Sequence, residues 1–423
     1  MTSKSSKSAP FDDVRMRGFR RRATVTDALD WLDRHTDVLP PEAIDLGTAA
    51  GRILAEDIVS DVDVPAFCRA MMDGFAVHAA DTLGATSYNP LKLEIVGQVL
   101  PGTAFAGEVR RGQAVRIMTG APLPAGADAV LPAEATSSEN QELVIHGEVA
   151  PGKHVGSIGE DIRRQDAVLS RGRWLRPQDL GVLSSIGRGT ISVVRRPRVR
   201  VVVTGDELSS AGTTPRAHHT VDANSPMLLA LIARDGGEAL FDGITPDRPK
   251  SIRGAMEDPS CDVVIVSGGS SVGQEDHAPK TLAAIGELAI HGIAMRPSSP
   301  AGMGRIGRRL VFLLPGNPVS CLCAYDFFAG RAIRMLGDRA ADWPYPRRVA
   351  KLARKISSVV GRQDYARVTL VGGQVEPIAI AGASVLSSTT RADGFIIISA
   401  DSEGFPPGAE VEVFLYDQVA VRR

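Results

Sequence analysis

Val199-Arg200-Val201-Val202-Val203-Thr204-Gly205-Asp206-Glu207-Leu208 is the stretch that decides the fold. An apolar run broken only by Arg200 enters, without polar alternation, a turn that holds a hydroxyl, a glycine and two adjacent carboxylates. A strand that is apolar on both faces belongs in a sheet covered by helices on both sides, and such sheets are parallel. The pattern recurs at 263–266 and 310–314, with helical stretches at 227–233, 281–285 and 319–336. Residues 196–338 are therefore expected to form a doubly wound parallel α/β module.

Outward from that module the texture changes. At 423 residues the chain exceeds the roughly 250–300 at which one core stops growing, so several domains are expected. Val25, Leu29, Trp31 and Leu32 fall at helical spacing until Pro40 and Pro41 stop the pattern, and 176–186 reads as a second helix. Between them, Leu91, Leu93, Ile95 and Leu143, Ile145 alternate in short runs separated by Gly and Pro, the mark of strands. After Trp343-Pro344 the alternation returns at 366–371 and 411–416. The expected architecture is thus α/β and multidomain: a flexible tail over 1–22, a helical linking domain from 23–60 and 150–195, and an inserted β-rich domain over 61–149. The α/β module follows over 196–338, and then a C-terminal β-barrel or sandwich over 345–423.

Charge and composition narrow the function. Lys plus Arg number 48 against 49 Asp plus Glu, a net charge of -1, so no global field gathers nucleic acid or an acidic membrane, and any anion site is local. Cys68, Cys261, Cys321 and Cys323 are too scattered for a disulfide framework or a zinc knuckle. No apolar stretch nears the roughly 20 residues of a membrane span, and the basic N-terminus lacks the apolar core of a secretory signal. A cytoplasmic protein is expected.

In an open α/β sheet, ligands bind beyond the carboxyl ends of the strands, and three such loops stand out. The first carries Thr204, Gly205, Asp206 and Glu207, carboxylates suited to Mg²⁺, which takes one or two of them with phosphate oxygens; a plain turn with Asp206 capping a helix is the other reading. The second holds Ser267, Gly268, Gly269, Ser270, Ser271, Gly273 and Asp276. Its glycines let backbone N–H groups approach an anion, its hydroxyls add donors, and a helix then begins. The third is Pro315, Gly316, Asn317 and Pro318, explained equally by capping, with proline at the first helical position, or by a second anion contact.

Three further segments read alone as turns or polar loops: MDGFAV with Asp73, RIMTGA with Thr119 and GEDI with Asp161. Together and in order, MDGFAV, RIMTGAPLPAGADAV, GEDI, VTGDEL, SGGSSVGQED and LPGNPVS resemble the MoeA family of molybdopterin molybdenumtransferases, which includes the C-terminal domain of gephyrin. The resemblance runs from about Thr24 to the C-terminus. It implies insertion of molybdate into adenylylated molybdopterin, with Mg²⁺ and release of AMP. It also implies a homodimer in which Asp73 and Thr119 enter the partner's site, and contact with molybdopterin adenylyltransferase and molybdoenzyme maturation factors. By position the family's functional residues fall on Asp73, Thr119, Asp161, Glu207, Asp247 and Asp276, with Glu207 and Asp276 as metal ligands and Pro315 and Pro318 shaping the third loop.

The chain departs from the family beside these loops. A Lys-Pro-Gly-Lys-Pro segment is replaced by Arg296-Pro297-Ser298-Ser299-Pro300, and Gly292 stands where another lysine is common. Arg296 keeps a cation, and Arg305, Arg308 or Arg309 are candidates to restore the lost charge, although guanidinium and ammonium are not interchangeable. Before Asp73 the chain reads Phe67-Cys68-Arg69-Ala70 in place of Phe-Asp-Asn-Ser, which brings a cation into the neighbourhood. Two other functions share the motifs: adenylylation of molybdopterin by the α/β module, against which the Asp73 domain and the C-terminal domain argue, and a paralogue that binds cofactor without turnover.

Overall fold

The structure, a computed structural model, describes residues 22–269, 277–379 and 382–416. The expected tail except Arg22, and four loop residues, Ser270, Ser271, Gly273 and Asp276, lie outside them. The chain divides into two compact units, one of Glu42–Val193 and one from the chain on either side, up to Pro41 and from Val194 onward.

The Glu42–Val193 unit is built on a six-stranded sheet whose order is Ala129–Pro132, Gly74–Val77, Gln113–Ile117, Leu91–Val99, Glu142–Ile145 and Thr136–Glu139. Its two faces bury different sets, Phe75, Val77, Leu131 and Leu143 on one and Ala76, Val115, Ile117 and Val130 on the other. Gly74 is required by the sheet: a Cβ there would lie 2.0 Å from the Leu131 carbonyl oxygen. A third core, with Leu54, Leu175, Leu183 and Val193, joins the strand pairs Ile58–Val59 with Ala167–Leu169 and Pro41–Asp45 with Thr190–Val194 to the helix Pro177–Ser185. Between Glu42 and Val193 these linking segments carry more strand than α-helix, the helix Pro177–Ser185 being the one α-helix there among the described residues.

In the second unit the helix Val25–His35 opens on a capping box, Thr24 Oγ1 accepting from the Asp27 N–H and the Asp27 carboxylate from the Thr24 N–H, each at 3.0 Å. It buries Val25, Ala28, Trp31 and Leu32 in the core of the α/β module. There the strands Glu238–Leu240, Arg198–Thr204, Val263–Ser267 and Arg309–Leu314 run parallel in that order, followed by antiparallel Gly302–Ile306 and Glu287–His291. Alternate residues of the central strands serve two cores, Val199, Val201, Val203 and Ile265 on one side and Val202, Val264, Val266 and Val311 on the other. Both faces being apolar explains the missing polar alternation. Arg200, on a strand paired on both sides, is accommodated by Asp258 (2.5 and 2.8 Å) and Asp242 (2.6 Å).

C-terminal to the module, Gln363–Val371, Gln374–Ala379, Arg347–Leu352, Glu410–Leu415 and Gly394–Ile398 close on themselves into a five-stranded barrel, since the first also pairs with the last. A sixth strand comes from the α/β module. Met295–Arg296 pairs parallel with the start of Gln363–Val371, Arg296 opposite Asp364. An aromatic cluster of Phe327, Trp343, Phe395 and Phe414 and a buried ionic group of Arg234, Asp235, Asp326 and Arg334 pack the barrel's approach against the module.

Candidate active site

The three loops predicted at the strand ends converge. Gly268 donates its N–H to the Leu314 carbonyl at 3.3 Å, and the Gly316 Cβ position lies 3.5 Å from the Gly268 Cα. Gly268 is also pressed on the first loop: with φ of +98°, a Cβ there would stand 2.2 Å from the Thr204 carbonyl oxygen. Gly269 approaches Asp247 Oδ1 and Thr204 Cγ2, each 3.5 Å from its Cβ position. Glu207 folds its carboxylate back over Gly205, where a side chain would meet both oxygens at 2.9 Å. Asp206 caps no helix. Its Oδ1 accepts the Asp247 N–H at 3.3 Å, tying the first loop to the strand Ile244–Thr245.

Asn317 occupies the N-cap of helix Pro318–Ala324, with Pro318 in the first turn, yet its side chain makes no capping bond. It lines a cavity of about 670 Å³ instead, with Gly316, Pro315, Ser298 and the arginines 22, 296 and 362. Capping thus fails to account for Asn317. Ser298, where the resembling family has glycine, holds a φ of +88°, a backbone region that disfavours side chains. Its buried hydroxyl donates to the Ser320 carbonyl at 2.5 Å, which offsets that strain.

The sequence reading missed Asn224. Buried at the start of helix Asn224–Arg234, its Nδ2 donates to Ser267 Oγ at 2.9 Å and to the Gly316 carbonyl at 2.8 Å, stitching the second loop to the third. Its signal was present, since Asp222-Ala-Asn224-Ser225-Pro226 opens a helix, but capping absorbs only Asp222, whose Oδ1 accepts the N–H groups of Asn224 and Ser225. Arg362 and Asp364 were missed as well. Burial pushes the neighbouring Cys321 thiol up to about 12, and Cys323 higher still, so both stay protonated core residues.

Arg305, Arg308 and Arg309 do not replace the missing lysines. They sit at the hairpin joining Gly302–Ile306 to Arg309–Leu314, at the opposite end of the strand from the site. Six residues at about 3.3 Å each separate them from it by roughly 17–20 Å. Arg305 pairs with Glu287 (2.7 Å), and Arg309 donates to the carbonyls of Cys261 and Met256.

Asp73, Thr119 and Asp161 lie in the other unit. Thr119 donates both its N–H and its hydroxyl to Asp73 Oδ1, each at 2.7 Å. The backbone N–H and then the hydroxyl hold the Asp73 carboxyl below the usual carboxylate range. Arg69 does not neutralise it, being paired to Glu160 at 2.8 Å. Asp161 is exposed and joins neither Asp73 nor Thr119 in a hydrogen bond, although the ladder of Arg69–Ala70 with Val155–Gly156 starts both segments from one place.

Residues 23–187 match the MoeA N-terminal region (domain I and II), 200–334 the probable molybdopterin binding domain and 349–416 the MoeA C-terminal region (domain IV). A molybdopterin molybdenumtransferase 2 of Mycobacterium tuberculosis is 33% identical over 389 residues, covering 88% of this chain and 95% of that one. The chain belongs to the MoeA family. A molybdopterin molybdenumtransferase of Haemophilus influenzae is 31% identical over 382 residues, 88% of this chain and 93% of its own. The crystal structure of a molybdopterin biosynthesis MoeA protein from Pyrococcus horikoshii superposes with a TM-score of 0.80 at 33% identity, covering 94% of this chain and all of that one. This MoeA chain is therefore an enzyme of molybdenum cofactor biosynthesis. No described helix is long and apolar enough to cross a membrane.

Proposed function

We propose that this protein inserts molybdate into adenylylated molybdopterin, releasing AMP, and that it does so in the cytoplasm as a homodimer whose Asp73 and Thr119 complete the partner's site. The observation that carries the reading is the meeting of Thr204, Gly268, Gly269 and Gly316 at the ends of three parallel strands, beside a cavity bordered by three arginines. Backbone N–H groups and hydroxyls there suit a pterin phosphate, and Arg296 and Arg362 suit the oxyanion.

By the family resemblance a Mg²⁺ ion would rest on Glu207 and on Asp276, which lies outside the described residues, with water and phosphate oxygens completing its shell. Glu207 fits that role in chemistry and place, a carboxylate lying over the Gly205 backbone of the first loop. Bound there, the ion would neutralise charge developing on the phosphoanhydride. The residues of the chain hold the phosphate at the strand ends, keep the oxyanion beside it and, through Asp73, present an ionised carboxylate to position water or metal. The test is to supply adenylylated molybdopterin with and without molybdate and Mg²⁺. Release of AMP that needs both supports the reading; tight binding without AMP release refutes it in favour of a paralogue that only binds.

A further inference from the structure

Two of the three arginines of the cavity share one partner, a carboxylate that solvent does not reach. The Asp364 side chain is 0% exposed, while those of Arg296 and Arg362 are 29% and 33% exposed. Asp364 Oδ2 accepts from Arg296 Nη2 and from Ser358 Oγ (2.7 Å), and Oδ1 lies 3.2 Å from Arg362 Nε. The arginines come from different parts of the fold. Arg296 belongs to the two-residue strand that the α/β module lends to the barrel, and the parallel register sets it opposite Asp364; Arg362 precedes the barrel strand itself. The rest of the Arg296 fork, Nε included, meets no acceptor among the described residues.

A buried carboxylate is unfavourable unless paired, and here a hydrogen bond to Arg296 and an ion pair to Arg362 that is not aligned as a hydrogen bond hold the ends of two long side chains that would otherwise sample many rotamers and repel each other. We infer that Asp364 is a positioning residue of this pocket, gripping Arg296 and Arg362 together so that both forks face an oxyanion. The inference rests on the assignment of the pocket to the oxyanion made above. It carries a sign that separates it from simple electrostatics. Asp364 puts a negative charge beside a dianion, so by charge alone Asp364→Asn would tighten binding; by positioning it weakens it.

The test is calorimetric titration of the full chain with sodium molybdate, alongside the KM for molybdate in turnover. Asp364→Asn is expected to weaken molybdate binding roughly tenfold, the scale seen when groups that orient ligands are removed. The KM for molybdate should rise in step while that for adenylylated molybdopterin stays put. Arg296→Met should remove most of the effect, so the double variant binds only slightly more weakly than Arg296→Met alone, the remainder acting through Arg362. Ser358→Ala, which keeps the charge and loses one bond to Asp364, is expected to weaken binding a few-fold and carries the test if Asp364→Asn does not fold. Unchanged or tighter binding in Asp364→Asn, or in Ser358→Ala if only that folds, overturns the inference. An unmutated chain that takes up no molybdate overturns the pocket assignment itself, and its own titration reads that separately.

Discussion

Replacing Gly268 by alanine probes the convergence of the loops directly. The new Cβ would stand 2.2 Å from the Thr204 carbonyl oxygen and has to retreat to the 3.4 Å of ordinary contact, a displacement of about 1.2 Å. The obstacle is backbone at the end of a buried parallel strand, so no side chain can swing aside. The φ of +98° adds strain of about 1–3 kcal/mol, and overpacking adds about 1–3 kcal/mol, together roughly 2–6 kcal/mol. For a unit of this size, at about 2–4 °C per kcal/mol, that lowers the melting temperature by roughly 4–24 °C. A shift of about 1 Å at a reacting centre costs on the order of 10²-fold in rate, so turnover should fall about that much even below the melting transition. Gly316→Ala is the control for stability: its Cβ would sit 3.5 Å from Gly268, an ordinary contact, and its melting temperature should hold. Differential scanning calorimetry and turnover measured on both variants decide the matter. A Gly268→Ala protein with the parent's melting temperature and a rate within twofold would refute the packing of the second loop on the first.

Three further outcomes follow from the same geometry. Thr119→Val removes one of two donors to Asp73 Oδ1 and so raises a carboxyl now held low; if ionised Asp73 is needed, the acid limb of the pH–rate profile moves to higher pH, and an unmoved limb excludes that role. Asp326→Ala leaves Tyr345 without its buried carboxylate acceptor and Arg234 with Asp235 alone and is expected to destabilise by about 3–5 kcal/mol in urea unfolding; a loss under about 1 kcal/mol would show the ionic group to be dispensable. Asp258 is held down to about 2, by Ser260 first and then Arg200. The folded value lies below the unfolded one, so its stabilisation is present above about pH 4 and lost as pH falls towards 2; Asp258→Asn should flatten that part of the acid unfolding curve, and an identical curve would contradict the pairing.

The module was legible because apolar runs without alternation can hardly be anything but doubly covered strands, and 199–203, 263–266 and 310–314 all became parallel neighbours. The loops at their ends were legible for the same reason, since strand direction fixes which end faces a ligand. Barrel and sandwich could not be told apart, because alternation records which face is buried but not whether the first strand meets the last. Asn317 read as a cap by residue type, whereas its side chain makes no capping bond and the residue lines the cavity. Arg308 and Arg309 looked near the site in sequence, but a strand length lies between. Asp364 was invisible since its meaning depends on pairing between residues 68 positions apart.

One reaction tests the central claim most directly: purified protein with adenylylated molybdopterin, molybdate and Mg²⁺, in which AMP and metal bound to the pterin dithiolene are measured together. The account predicts one AMP released for each metal inserted, with no AMP when molybdate is left out. Metal capture without AMP, or consumption of ATP with unmodified molybdopterin in place of the adenylylated form, would contradict it.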